Sequence, residues 1–271
     1  QEQAQIDSAV AVAKQTDVVI VVLGGNTKTA GENKSRTSLD LPGFQLDLIK
    51  AVYATDKPVV VVLIGSQPMT INWIDKYIPG IIYAGYPGSN GGTAIADVLF
   101  GDYNPGGKLT MTFPKSVGQL PLHFPSKPDA QSDAGETARI KGLLYPFGFG
   151  LSYTTFKYSN LVVPETVPLD KDVEVSVDVT NTGKLAGDEV VQLYTRDVVS
   201  SVTTWEKNLV GFERVHLNPG ETKTVHFTIA NNDLKLWNRK MQHVVEPGDF
   251  KVMAGKSSQD IQLVGTFTMV E

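Results

Sequence analysis

Up to about residue 150, the apolar positions alternate between two kinds of pattern. Four-residue spacing marks helices. "AQIDSAVAVAKQ" (4–15) puts Ile6, Val10 and Ala13 on one face, and "PGFQLDLIKAVYATD" (42–56) repeats Phe44, Leu48 and Val52, with Pro42 suited to a first turn. "GGTAIADVLFGD" (91–102) predicts a helix that ends at Gly101. Between them stand continuous runs, "DVVIVVLG" (17–24), "PVVVVLIG" (58–65) and "GIIYAGY" (80–86). Such runs are expected of strands buried on both faces. Strands alternating with helices imply right-handed crossovers and a parallel sheet.

From about residue 168 the period becomes two. "DVEVSVDVTNTG" (172–183), "DEVVQLYTRD" (188–197), "NLVGFERVHL" (208–217), "TKTVHFTIA" (222–230), "DLKLWN" (233–238), "GDFKVMAGK" (248–256) and "IQLVGTFTMV" (261–270) predict seven short strands. Turns such as "NPGE" separate them, which reads as a β-sandwich of immunoglobulin or fibronectin type III kind. The absence of any cysteine favours the second. Residues 103–160 follow neither period and are rich in Pro, Gly and aromatics, so they are expected to wrap over a neighbouring domain. "SKPDAQSDAGETARIKG" (126–142) is polar and reads as a mobile loop.

The length of 271 residues fits about two domains, and 41% hydrophobic content is enough for a proper core. A net charge of −5 argues against a polyanionic partner such as nucleic acid. No apolar run has the length of a membrane span. The first residue is Gln1, so the chain is expected to begin downstream of a true start. With no cysteine there are no disulfides, thiolate metal sites or cysteine nucleophiles.

Candidate chemistry is sparse. "LGGNTKTAGE" (23–32) follows a strand without a dinucleotide fingerprint, and "GYPGSNGGTAIADVL" (85–99) opens a helix without a phosphate-loop Lys. Close helix–sheet packing is the simpler reading of the second. Ser89 lacks the first Gly of a nucleophile elbow, and His123, His216, His226 and His243 show neither triad nor metal-ligand spacing. No metal and no cofactor are expected. Glu32, between Gly31 and Asn33, follows the first strand's C-terminal end, where a carboxylic acid could transfer protons. Read locally it is a solvated loop residue, pairing with Lys34 or Arg36.

Four motifs occur in order: "GENKSRTSLDLPGFQLDLIKAV" (31–52), "GGTAIADVLFGDYNPGGKLTMTFP" (91–114), "LLYPFGFGLSYTTF" (143–156) and "NLVGFERVHLNPGETKTVHFTI" (208–229). Together they resemble the C-terminal half of family-3 glycoside hydrolases, the β-glucosidase/β-xylosidase group. The resemblance implies an N-terminal barrel with the nucleophilic aspartate, an α/β sandwich, and a fibronectin type III domain. It implies that Glu32 is the general acid/base. Such a group must hold a proton at rest, which burial or the nucleophile carboxylate would secure. The nucleophile motif, similar to Ser-Asp-Trp, is absent, because none of Trp73, Trp205 or Trp237 follows an Asp.

The fold class expected is thus α/β plus all-β. A mostly parallel α/β sandwich domain spans 1–125 and is incomplete at its N-terminus, a wrapping linker spans 126–167, and a fibronectin type III-like sandwich spans 168–271. Tyr145, Phe147, Phe149, Tyr153 and Phe156 are expected to pack between domains rather than stack on sugars. Trp205, in "SSVTTWEKN" (200–208), reads as structural, and the resemblance makes it an outer-subsite candidate for substrate binding.

The resemblance implies a C-terminal fragment of a retaining exo-acting β-glycosidase, foremost a β-glucosidase, inactive alone. Its partners would be a β-linked oligosaccharide or an aryl or alkyl glycoside, and the missing barrel of the same polypeptide. Its location would be periplasmic or secreted in a bacterium, with the cytoplasm as alternative. The competing reading is a non-catalytic carbohydrate- or protein-binding module on the same scaffold. A nucleotide-binding protein is disfavoured by the missing phosphate motifs.

Overall fold

The structure is a computed structural model that describes residues 2–128 and 140–271. The polar stretch 126–142 falls largely outside the described residues. The chain divides into two compact units. One comprises Gln1–Asp102, Phe113–Pro121 and Ile140–Leu144, the other Tyr103–Thr112, Leu122–Arg139 and Tyr145–Glu271.

The first unit runs α1 (Glu2–Ala13), β1 (Val19–Gly24), α2 (Gln45–Tyr53), β2 (Val59–Ile64), α3 (Asn72–Tyr77), β3 (Gly80–Gly85) and α4 (Gly91–Phe100). The β-branched runs form a parallel sheet in the order β1-β2-β3, with Val21, Val61 and Ile81 in one row. Alternation sends Val21, Leu23, Val59, Val61 and Leu63 into the core, with Ile6 and Ala13 of α1, Ile49 and Val52 of α2, and Ile74 of α3 buried as well. On the opposite face of β1, Ile20 and Val22 remain 43% and 59% exposed. A parallel sheet is normally covered on both faces, so β1 presents an apolar face to solvent.

Helix α2 begins at Gln45, not Pro42. Gly43 is left-handed at φ 63°, which ends any helical run from Pro42. Helix α4 stops where expected, on Gly101 at φ 85°. A Cβ on Gly91 would fall 2.6 Å from the Pro87 side chain. The glycine therefore serves close packing at the helix start. Phe113 is buried edge-on to Tyr83, with ring centroids 5.2 Å apart.

The second unit is a two-sheet sandwich. β4 (Phe156–Val162), β6 (Val173–Asn181) and β9 (Thr222–Ile229) form one sheet in the order β4-β6-β9. The other has the order β5-β13-β12-β7-β8, from β5 (Thr166–Pro168), β7 (Gly187–Asp197), β8 (Asn208–Leu217), β12 (Gly248–Gly255) and β13 (Ile261–Val270). Inward residues of both sheets, among them Val175, Val177, Val191, Leu193, Phe227, Phe250 and Phe267, share one core.

"DLKLWN" is not a regular strand. A 3-10 turn occupies Asn231–Leu234, held by Asn231 N donating to Asp172 Oδ1 at 2.7 Å, and only β10 (Leu236–Trp237) pairs with β11 (His243–Val244). The unpatterned middle of the chain supplies β4 and a strap. In the strap, Leu109 N donates to Phe149 O and Gly148 N to Leu109 O, both at 2.8 Å. Phe156 is buried in the sandwich core, Phe147 stacks on Phe124, and Tyr145 stacks on Phe149.

Candidate active-site loop and its relatives

Glu32 stands on the long connection between β1 and α2, beyond the C-terminal edge of the sheet, where open α/β sheets form their ligand crevice. The first part of the connection folds on itself. Asn26 O accepts from Thr29 N and Ala30 N, and Asn26 Oδ1 from Lys28 N. A turn follows in which Lys34 N donates to Gly31 O at 3.3 Å. Glu32 and Asn33 are its central residues, and Asn33 takes φ 59°, a left-handed conformation that asparagine tolerates. Glu32 is exposed, and no ion pair among the described residues joins it to Lys34 or Arg36. Arg36 instead donates through Nη2 to the carbonyl of Asp40.

The base of this loop is tightly built. Gly24 N donates to Gln45 Oε1 at 2.7 Å, and Gln45 Nε2 donates back to Gly24 O at 2.9 Å. The glutamine amide thus takes the place of a neighbouring strand. Gly25 N donates to Ile64 O at 2.9 Å. At the returning end, Thr70 N donates to Leu39 O at 3.1 Å and the Thr70 hydroxyl donates to Asp40 Oδ1. Ser38 Oγ donates to Asp40 Oδ2 at 2.8 Å and accepts from Asp40 N at 3.0 Å. The Thr70 hydroxyl first, and then that of Ser38, hold the Asp40 carboxyl below the usual carboxylate range. Sequence reading missed Asp40, Gln45 and Thr70; "SLD" hints at a local Ser–Asp turn, but nothing local points to Thr70.

Trp205 belongs to the other unit, so the two site candidates lie in different units. It is 37% exposed beside a cavity of about 350 Å³, lined also by Arg196, Asp197, Ser201 and Arg239. Lys127 Nζ sits 5.3 Å from its ring centroid, within cation–π range. Arg196 pairs with Glu206 at 2.7 Å. Glu246 fixes the loop by accepting from Ser201 N at 2.8 Å. Burial, with Glu246 nearby, pushes the Asp197 carboxyl up. Among the described residues no group of three His, Cys, Asp or Glu side chains could hold a metal ion, and no helix is long and apolar enough to cross a membrane.

Residues 1–153 match the glycosyl hydrolase family 3 C-terminal domain. The chain belongs to glycosyl hydrolase family 3. Residues 189–258 match a fibronectin type III-like domain, as the second unit's sandwich requires. A β-xylosidase of Formosa agariphila is 48% identical over 254 residues, covering 93% of this chain and 35% of that protein. A periplasmic β-glucosidase of Salmonella typhimurium is 44% identical, covering 99% of this chain and 36% of that protein. Among solved structures, a β-glucosidase from Erythrobacter marinus matches with a TM-score of 0.92 at 39% identity, over 99% of this chain and 36% of that one. One from Listeria innocua in complex with glucose matches with a TM-score of 0.90 at 32% identity, over 98% of this chain and 38% of that one. The family-3 chain thus spans little more than a third of the length of these relatives, in their C-terminal portion.

Proposed function

We propose that this family-3 chain supplies the general acid/base, Glu32, to a retaining β-glycosidase whose nucleophilic carboxylate comes from a barrel domain elsewhere in the polypeptide. The observation that carries the reading is the place of Glu32: an exposed carboxylate at the tip of a turn beyond the sheet's C-terminal edge, inside the family match. In the retaining reaction two carboxyl groups stand about 5–5.5 Å apart across the scissile bond. The nucleophile attacks the anomeric carbon while Glu32 gives its proton to the departing glycosidic oxygen. Glu32 then takes a proton from the water that cleaves the glycosyl–enzyme ester. Glu32 is exposed, so the site is complete only when substrate and the second domain cover the loop.

The substrate is a β-linked oligosaccharide or an aryl or alkyl β-glycoside, with glucosides foremost and xylosides the close alternative. Trp205 is the outer-subsite contribution. The uncovered apolar face of β1, with Ile20 and Val22 exposed, supports a larger α/β domain in the full polypeptide. A periplasmic or secreted location in a bacterium is the reading supported by the periplasmic β-glucosidase among the relatives.

The test is Glu32→Gln in the full-length polypeptide. Turnover of an alkyl β-glucoside should fall by about 10²–10⁴-fold, the usual contribution of a general acid, and azide should restore turnover of an activated aryl glucoside. Unchanged turnover would assign the proton to another group and favour a binding module.

A further inference from the structure

A proton donor must be held to within about half an ångström of its productive position. The tip that carries Glu32 cannot do this by its own contacts, because among the described residues its backbone bond is the local one from Lys34 to Gly31. Its position is therefore set where the loop leaves and rejoins the fold. Both ends are fastened to one segment, the end of β2 and the chain just beyond it. The leaving end is tied through Gly25 N to Ile64 O, and the returning end through Thr70 to Leu39 and Asp40.

Thr70 is itself fixed, since Met69 and Ile71 on either side are 2% and 3% exposed. Asp40 is the hub of the returning end. Its carboxylate accepts from Thr70 and Ser38, its N–H donates to Ser38, and its carbonyl accepts from Arg36. Leu41 next to it is buried, which anchors the hub in the core. A local ion pair or turn would not need a partner 30 residues away.

We infer that Asp40 and Thr70 are positioning residues, a clasp that aims Glu32 through the base of its loop without touching substrate. The inference rests on the reading of Glu32 as acid/base. If it holds, loosening the clasp should harm both proton transfers, and kcat/KM, which reports only the first, should fall only where the leaving group needs that proton. A dinitrophenyl β-glucoside loses its leaving group without a proton, whereas an alkyl β-glucoside needs one.

The experiment measures kcat/KM for both substrates in the full-length polypeptide, for Asp40→Ala, Thr70→Val, Thr70→Ser and Glu32→Gln. Expected is a loss of about tenfold on the alkyl glucoside for Asp40→Ala and Thr70→Val, a part of the 10²–10⁴-fold owed to the acid. The dinitrophenyl glucoside should change by less than about twofold, and Thr70→Ser should restore the alkyl rate. Should Asp40→Ala fail to fold, Thr70→Val against Thr70→Ser decides alone. Equal losses on both substrates, or none, with Glu32→Gln still selective, would overturn the clasp and leave the acid/base reading standing. A Glu32→Gln variant without selectivity would overturn both.

Discussion

Lys108 Nζ lies 2.9 Å from Glu189 Oε1, with the two side chains only 13% and 3% exposed. Lys108, next to Leu109 of the strap, thus sets a largely buried ammonium against the buried carboxylate of β7. Removing one charge leaves the other desolvated and unpaired, which costs far more than the pair contributes. Lys108→Ala should destabilise the chain by about 3 kcal/mol, within the range for breaking a buried pair. Replacing both residues by apolar ones of like size should recover most of that. Urea melts followed by circular dichroism decide it, and a single variant as stable as the wild type would show the pair to be solvated.

The contacts of the strap were not legible in the sequence, where residues 103–160 read only as a wrap, whereas the sheets largely were. β1, β2 and β3 appear within a residue or two of the β-branched runs, because strands of a parallel sheet leave an uninterrupted apolar signal; β1 carries that signal although its Ile20 and Val22 face is exposed, against the expected burial on both faces. β4 is hidden, since Asn160 at φ 51° breaks its period and its aromatics read as a wrap. Gly43 cut the first turn from the helix that spacing predicted. Glu32 was a candidate by position, but its local sequence reads as a solvated loop; only the ordered motifs made it the acid/base choice. The Asp40–Thr70 contact spans a strand and a helix, so no local pattern could carry it.

Ile20 and Val22 give a second prediction. Exposed apolar side chains on an edge strand invite association. The isolated chain should self-associate at concentrations where Ile20→Lys/Val22→Lys stays monomeric. Because both residues are already exposed, the double variant should keep its melting temperature to within about 2 °C, the effect of a few tenths of a kcal/mol. Sedimentation velocity and thermal melts test both. A large loss of stability would mean that these side chains are packed.

Asp40 gives a prediction of pH dependence. Its carboxyl is held low in the folded chain by Thr70 and Ser38, so the ionised form is the one folding favours. That contribution is whole above the unfolded pKa of about 3.9 and is lost as pH falls through the lower folded value. At pH 7, Asp40→Ala should cost about 1 kcal/mol, the worth of a solvent-accessible hydrogen-bonded carboxylate. Melts from pH 7 down to pH 2 should show the gap between wild type and variant constant at first and narrowing below about pH 4. A gap that widens in acid would mean the protonated carboxyl is the form that binds Thr70.

Trp205 separates a structural from a substrate-binding role most directly. Its ring is 37% exposed beside the cavity, with Lys127 Nζ 5.3 Å from the ring centroid. A ring held for packing would be buried on both faces, whereas a stacking platform needs one face that a mobile cation can vacate. Stacking of this kind is worth about 1 kcal/mol, or roughly fivefold in affinity. In the full-length polypeptide, Trp205→Ala should therefore raise KM for a tri- or tetrasaccharide by about fivefold, while an aryl monosaccharide glycoside, which does not reach an outer subsite, should change by less than about twofold. Lys127→Ala should lower KM for the longer substrate by freeing the ring. If Trp205→Ala lowers stability and leaves both KM values alike, the tryptophan is structural and the outer subsite lies elsewhere.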